Sequence, residues 1–268
     1  VTGGISIGVN AVAGALNYSS GSLTTDGVTI GDGTSAAVGL GTFTQSAGTN
    51  AVINGNVTIN QQTGAATNAW NINAGTATVS GLISFAGTNA TTNRIGTIVL
   101  TTGTLNANGG ISFAGTTPAT KVINLGTTGT INLKGALSGT AGATLTAGTA
   151  GSVFNYNDNA TAQTVNFFGA GAYFNLYINN TSGTGATLGA AVSATNVTGN
   201  LRVQSGILNT GAFNIVGNLT RTFEVANGAF FKTTTATTNA FPSGFGTNSL
   251  GASSTVEYRA NGAQTVSA

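Results

Sequence analysis

Apolar residues alternate with small polar ones along this chain: Val57 and Ile59, Ile83 and Phe85, Ile111 and Phe113, Leu201 and Val203. A period of two marks strands with one buried face. The runs are short and end in Gly, Asn-Gly or Gly-Thr, the residues of tight turns. Helix signals are nearly absent, because Gly, Thr, Asn and Val dominate and all are poor helix formers. The pattern predicts an all-β protein.

The strands also recur. VTGGISI, INGNVTI, VSGLISF, ANGGISF, LKGALSG, VTGNLRV and IVGNLTR share one outline. Their glycines are Gly3, Gly55, Gly81, Gly109, Gly135, Gly199 and Gly217. The steps from Gly55 to Gly81, Gly109 and Gly135 are nearly equal, and the step from Gly3 to Gly55 is twice as long. Two more phrases keep step with them: GTATV, GTLNA and GTINL, which start at Gly75, Gly103 and Gly129, and WNINAG and IVLTTG, which start at Trp70 and Ile98. Residues 43–140 therefore read as about four units of three short strands, the signature of a solenoid.

The physical reason is direct. One unit cannot bury its apolar face alone. Stacked on a copy of itself, it pairs each strand in parallel with its equivalents, so Ile83 is expected beside Ile111, and Ile111 beside Leu137. Glycine is expected at the corners for its freedom to take positive φ.

Two domains are predicted. Residues 1–150 carry coils of about 26–28 residues, a length ordinary for solenoid repeats. Residues 151–268 carry shorter coils, of about 18 residues, in a second module of about 102 residues. That module runs from VFNYNDNATAQTV to VEYRANGAQTV and then stops midway through its next copy. FEVANGAFF, at 223–231, also reads as a hairpin across Asn227-Gly228.

The phrases GNLRV, SGILNTGAFNIVGNL and GAQTV resemble the β-strand-repeat cell-surface proteins of bacteria, including filamentous-haemagglutinin-like and autotransporter-type adhesins. The resemblance spans the chain and implies an exported, right-handed parallel β-helix (a β-solenoid) with a structural or adhesive role. It transfers no catalytic residues.

Composition narrows the function. Only 4% of residues are charged, with seven Lys and Arg against five Asp and Glu. Such a surface has no basic field for a phosphate backbone, so nucleic acid is not an expected partner. No run of about 18 apolar residues marks a membrane helix, and the strands are too short and too often broken by Gly for an outer-membrane barrel. The chain has no Cys, which rules out disulfides and thiolate metal sites and suits an extracellular or cell-surface location.

The acids are Asp26, Asp32, Asp158, Glu224 and Glu257, and there is no His. Neither an acid–base pair nor a nucleophile motif emerges, so no enzyme, cofactor or metal is expected. Asp26 and Asp32 read as Asp-Gly turns. Glu224 with Arg221, and Glu257 with Arg259, read as exposed ion pairs.

The contact candidates lie elsewhere. In AYFNLYI, alternation places Tyr173, Asn175 and Tyr177 on one face and Phe174, Leu176 and Ile178 on the other. Both faces are bulky, which calls for a covering segment or subunit contact, a stacked glycan, or plain exposure. Phe167, Phe168, Phe230 and Phe231 pose the same question. At the start of the chain, Ile5, Ile7 and Val9 alternate as a strand for donation to a neighbour, and Val266 lies in the last repeat phrase.

Neither end reads as capped. The expectation is a secreted structural subunit of an extracellular filament or surface layer, a homopolymer joined head-to-tail through open coils. The alternative is the stalk of a large adhesin that binds a glycan or a neighbouring surface.

Overall fold

The alternating runs form strands that lie parallel to, and in register with, the strand one coil away. The computed structural model describes residues 2–9, 12–31, 39–46, 49–60, 67–86, 95–114, 121–148, 151–233 and 241–259. They form an all-β parallel solenoid. It divides into two units, Val1–Ser152 with Phe168–Gly171, and Val153–Phe167 with Ala172–Ala268.

Unit 1 has three strand-built sides. The first stacks β1 (Gly4–Ile7), β4 (Gly27–Ile30), β7 (Val57–Asn60), β10 (Ile83–Ala86), β13 (Ile111–Phe113) and β16 (Leu137–Ser138). The second stacks β2 (Gly14–Tyr18), β5 (Gly41–Gln45), β8 (Thr67–Ile72), β11 (Ile95–Leu100), β14 (Lys121–Asn124), β17 (Thr144–Thr146) and β20 (Ala170–Gly171). The third stacks β3 (Ser22–Thr25), β6 (Asn50–Ile53), β9 (Thr76–Val79), β12 (Thr104–Ala107) and β15 (Thr130–Leu133).

The register is the one the repeats predict. Val57 pairs with Ile83, Ile83 with Ile111 and Ile111 with Leu137, all buried. On the second side Trp70 stacks on Phe43, with ring centroids 5.9 Å apart and planes 7° from parallel. Each such side chain contributes roughly 1.5–3 kcal/mol on burial. An isolated coil has no neighbour to bury it against.

Positive φ is found as expected at glycines such as Gly3, Gly75, Gly139 and Gly228, but one column of corner glycines answers a different constraint. Gly55, Gly81, Gly109 and Gly135 stack on one another, and none of them has positive φ. A Cβ on Gly109 would lie 2.3 Å from the Gly81 carbonyl, and one on Gly135 would lie 2.5 Å from Gly109. Backbone approach, not backbone conformation, demands glycine there. Gly199 shares the phrase but not the stack, since its Cβ would meet Phe174.

One inward position carries charge. Lys121 pairs with Gly96 at the start of β14 and is 1% exposed. Its ammonium donates to the Ala114 carbonyl at 2.6 Å. Burial holds its pKa below the ordinary lysine value.

Unit 2 has two strand-built sides. One stacks β18 (Val153–Tyr156), β21 (Asn175–Ile178), β23 (Leu201–Val203), β25 (Thr222–Val225) and β27 (Thr247–Leu250). The other stacks β19 (Gln163–Val165), β22 (Ala186–Leu188), β24 (Ile207–Asn209), β26 (Phe230–Lys232) and β28 (Thr255–Glu257). A third side consists of the isolated bridges Tyr173–Val197, Val192–Ile215 and Val216–Ser243.

Two expectations are corrected here. The coils of unit 2 are longer than the glycine spacing predicts: Phe154, Leu176, Leu201 and Phe223 are successive equivalents, one to a coil. VTGNLRV and IVGNLTR do not stack on each other, because Val197 pairs with Tyr173 and Ile215 with Val192. Nor is FEVANGAFF a hairpin. β25 and β26 pair with different neighbours, and Asn227-Gly228 forms the corner between two sides, with the Ala229 N–H donating to Ala226 at 3.0 Å.

Candidate functional site

The outward positions of unit 1 form polar ladders. On the first side Ser6, Thr29, Thr58, Ser84, Ser112 and Ser138 follow one another coil by coil. On the third side Asn106 donates to the Thr78 hydroxyl at 3.1 Å, and Asn132 donates to Asn106 at 2.9 Å. The side chains hydrogen-bond along the stack, one residue per coil, much as the backbone does. None of these ladder positions carries a charge.

The described carboxylates are dispersed. Asp26 accepts from the Gly3 N–H at 2.7 Å. Asp158 is buried in a corner, accepting from the Ala160 N–H at 2.9 Å and from the Thr161 hydroxyl. That corner is a closed polar network: Asn180 donates to Gln163 at 3.0 Å and to Thr161 at 2.9 Å, and accepts from Ser182. The Asp158 contacts and the Ser182–Asn180 contact hold turns, while the Asp26–Gly3 and Asn180–Thr161 contacts join neighbouring coils. Among the described residues no group of three or more His, Cys, Asp or Glu can hold a metal. Asp32 lies outside the described residues.

Two of the three ion pairs among the described residues follow coil register, not sequence proximity. Glu224 pairs with Arg202, its neighbour one coil away, at 3.1 Å. The expected partner, Arg221, lies over the Phe174 ring at 4.9 Å and donates to Thr198 at 3.2 Å. Glu257 meets Arg259 at 3.3 Å, as expected, and also Lys232 at 3.4 Å. The sequence-visible signal for these cross-coil pairs is opposite charge at equivalent strand positions, usable only once the coil length is known.

The expected contact face in AYFNLYI is redistributed. β21 begins at Asn175, so its alternation does not extend back to Tyr173. Tyr173 belongs to the third side and is 1% exposed. Its hydroxyl lies 3.1 Å from that of Tyr156 and donates to the Asn166 carbonyl, while the Asn166 N–H donates to Tyr156 at 3.2 Å. The Tyr156 hydroxyl also lies 3.4 Å from the Asn166 carbonyl, so the two phenols and the Asn166 backbone form one buried hydrogen-bonded cluster. Desolvation pushes both phenols well above the ordinary tyrosine range.

Asn175 is also buried, and its side-chain oxygen accepts from the Asn200 N–H at 3.1 Å. Tyr177 alone stays on the surface, half-buried beneath Arg202 at 5.9 Å. Phe167 and Phe168 pack edge-on against Tyr173 and Phe113, and Phe231 is in the core. Phe230 is the exception, 42% exposed.

Ile5 and Ile7 lie in β1, paired in parallel with Val28 and Ile30. The proposed donor strand is thus docked within its own chain, because its apolar face completes the interior of unit 1. Ile7 is buried, and Ile5 and Val9 are half-buried. Val266 lies outside the described residues.

Fold and surface together define the class: a parallel β-solenoid clad in hydroxyl and amide ladders. No family model, curated protein or solved structure matches the chain.

Proposed function

We propose that the protein has a structural role outside the cell, as a solenoid segment of a filament or surface layer, extended coil upon coil. The observation that carries this reading is the contrast between the first coil and the second. Ile5, Leu16 and Leu23 face inward but are only half-buried. Their equivalents Val28, Phe43 and Ala51 are 3%, 0% and 1% exposed. Among the described residues the outer edges of β1, β2 and β3 have no strand partner. A further coil would bury those side chains and pair those backbone groups, whether it comes from a second copy or from more of the same polypeptide. β1 pairs with β4 in its own chain, which favours edge stacking over strand donation in this reading. The uncharged ladders offer no repulsion to such stacking.

Electron microscopy of purified protein at physiological salt tests the reading. Filaments or end-to-end oligomers are expected, and the Leu16→Asp/Leu23→Asp variant should give single particles with an unchanged β circular-dichroism spectrum. Strictly monomeric wild-type particles at high concentration would overturn self-assembly.

A further inference from the structure

The outward face of the β24–β26–β28 side differs from every ladder in unit 1. One column holds Ile207 and Phe230, neighbours in register. Phe230 is 42% exposed, on a molecule whose other aromatic side chains are mostly buried or half-buried. The adjacent column holds Asn209, Lys232 and Glu257, again in register. Phe230 and Lys232 are two positions apart on one strand and so share its outer face. Arg259 joins the row by pairing with Glu257.

Two cations share a single carboxylate here. Lys232 reaches one oxygen of Glu257 at 3.4 Å and Arg259 reaches the other at 3.3 Å. Their side chains keep 28% and 37% of their exposure. The row therefore carries an excess positive charge beside a bare aromatic ring, with an amide at its far end.

We propose that this face binds an acidic polysaccharide, a chain of carboxylated sugars. A pyranose ring has an apolar face that stacks on an aromatic platform such as Phe230. The sugar carboxylate supplies the second anion that Lys232 and Arg259 lack, and guanidinium takes a carboxylate in a planar fork. The Asn209 side-chain oxygen holds the Gly211 N–H at 2.9 Å, which leaves its amide NH2 to donate to a ring hydroxyl. A neutral sugar would leave the excess charge unmatched, and a sugarless polyanion would leave Phe230 bare. This assignment does not depend on filament assembly.

Calorimetric titration of the full chain with oligogalacturonate at low ionic strength is the test. The neutral galactose oligomer and polyglutamate serve as controls. Saturable binding is expected for the uronate, at least tenfold tighter than for either control and weakened by added salt. Phe230→Ala and Lys232→Gln/Arg259→Gln should each lose about tenfold or more, while Phe230→Tyr, which keeps a platform, should retain binding. Glu257→Gln removes the competing carboxylate and should tighten it. Three results would each overturn the assignment: no saturable uronate binding, equal binding of the neutral oligomer or polyglutamate, or weaker binding by Glu257→Gln.

Discussion

The two units solve the same problem with different residues. In unit 1 every complete coil has three strand-built sides, and small residues repeat in fixed columns: glycine at the Gly55–Gly135 corner, Ser or Thr on the first side, Thr and Asn on the third. In unit 2 the third side shrinks to single bridges, and rings fill the interior instead. Phe223 touches Phe231, Phe241 and Phe245 with centroids 5.0, 5.6 and 5.9 Å away. Phe154 meets Tyr156 and Tyr173 in the same way. The outward columns change in parallel, from amide ladders to the Arg202–Glu224 and Lys232–Glu257 pairs. Strict repetition lets small side chains serve as glue. Where strand pairing thins out, specific packing of large groups replaces it.

The largest test removes the packing. Trp70→Ala in unit 1 and Phe223→Ala in unit 2 each delete a fully buried ring, and each should cost about 3–5 kcal/mol. Chemical denaturation would measure it. The tryptophan is the only one in the chain, so its fluorescence in the Phe223→Ala variant reports unit 1 alone. If that signal is lost at the same denaturant concentration as unit 2, the units unfold together and the comparison loses its thermodynamic content.

The glycine spine gives a sharper contrast. Gly109→Ala places a methyl 2.3 Å from backbone, which cannot step aside without moving a neighbouring coil. It should cost about 3 kcal/mol. Gly228 in unit 2 has φ 76° and open space around its Cβ, so Gly228→Ala meets only the left-handed penalty, about 1 kcal/mol. Equal costs at the two sites would sink the close-approach account.

Alkali should separate the units by sign. Lys121 has a folded-state pKa below its unfolded value, so the unfolded chain binds more protons between the two. The burial penalty is present at neutral pH and fades as pH rises through the folded value towards the unfolded one, so unit 1 gains stability. Tyr156 and Tyr173 have folded-state pKa values above the unfolded one. Above about pH 10 the unfolded tyrosines ionise and the buried pair does not, so unit 2 loses stability progressively as pH rises. Tyrosinate absorbance from the pair should appear only as unit 2 unfolds, while Trp70 fluorescence stays native. Lys121→Met should abolish the gain in unit 1 and leave the tyrosine transition in place.

How much of this was legible in the sequence follows from the same contrast. In unit 1 the coil spacing repeats closely enough for Ile83, Ile111 and Leu137 to be aligned by eye, and the structure pairs them. In unit 2 the spacing is uneven: the step from Leu176 to Leu201 is longer than those from Phe154 to Leu176 and from Leu201 to Phe223. Matching the glycines of VTGNLRV and IVGNLTR therefore chose the wrong register. Alternation groups Tyr173 with Asn175 and Tyr177 on one candidate contact face, but Tyr173 lies before the start of β21 and belongs to another side. Strand alternation specifies faces only inside a strand, and nothing local marks where a corner interrupts it. The charged columns were hidden for a related reason. Arg202 and Glu224 are distant in sequence and adjacent only through coil register.

The smallest expected effect compares the two kinds of outward column. Arg202 and Glu224 are about one-third exposed, so solvent screens their attraction and the pair should be worth at most about 1 kcal/mol. A double-mutant cycle with Arg202→Ala and Glu224→Ala would read the coupling directly, and raising the salt should shrink it. The same cycle on Asn106→Ala and Asn132→Ala probes a 2.9 Å amide bond between neutral groups. Its coupling, also about 1 kcal/mol, should be indifferent to salt. If both couplings respond to salt alike, the distinction between an amide-clad unit and a charge-laced one does not describe what holds neighbouring coils together.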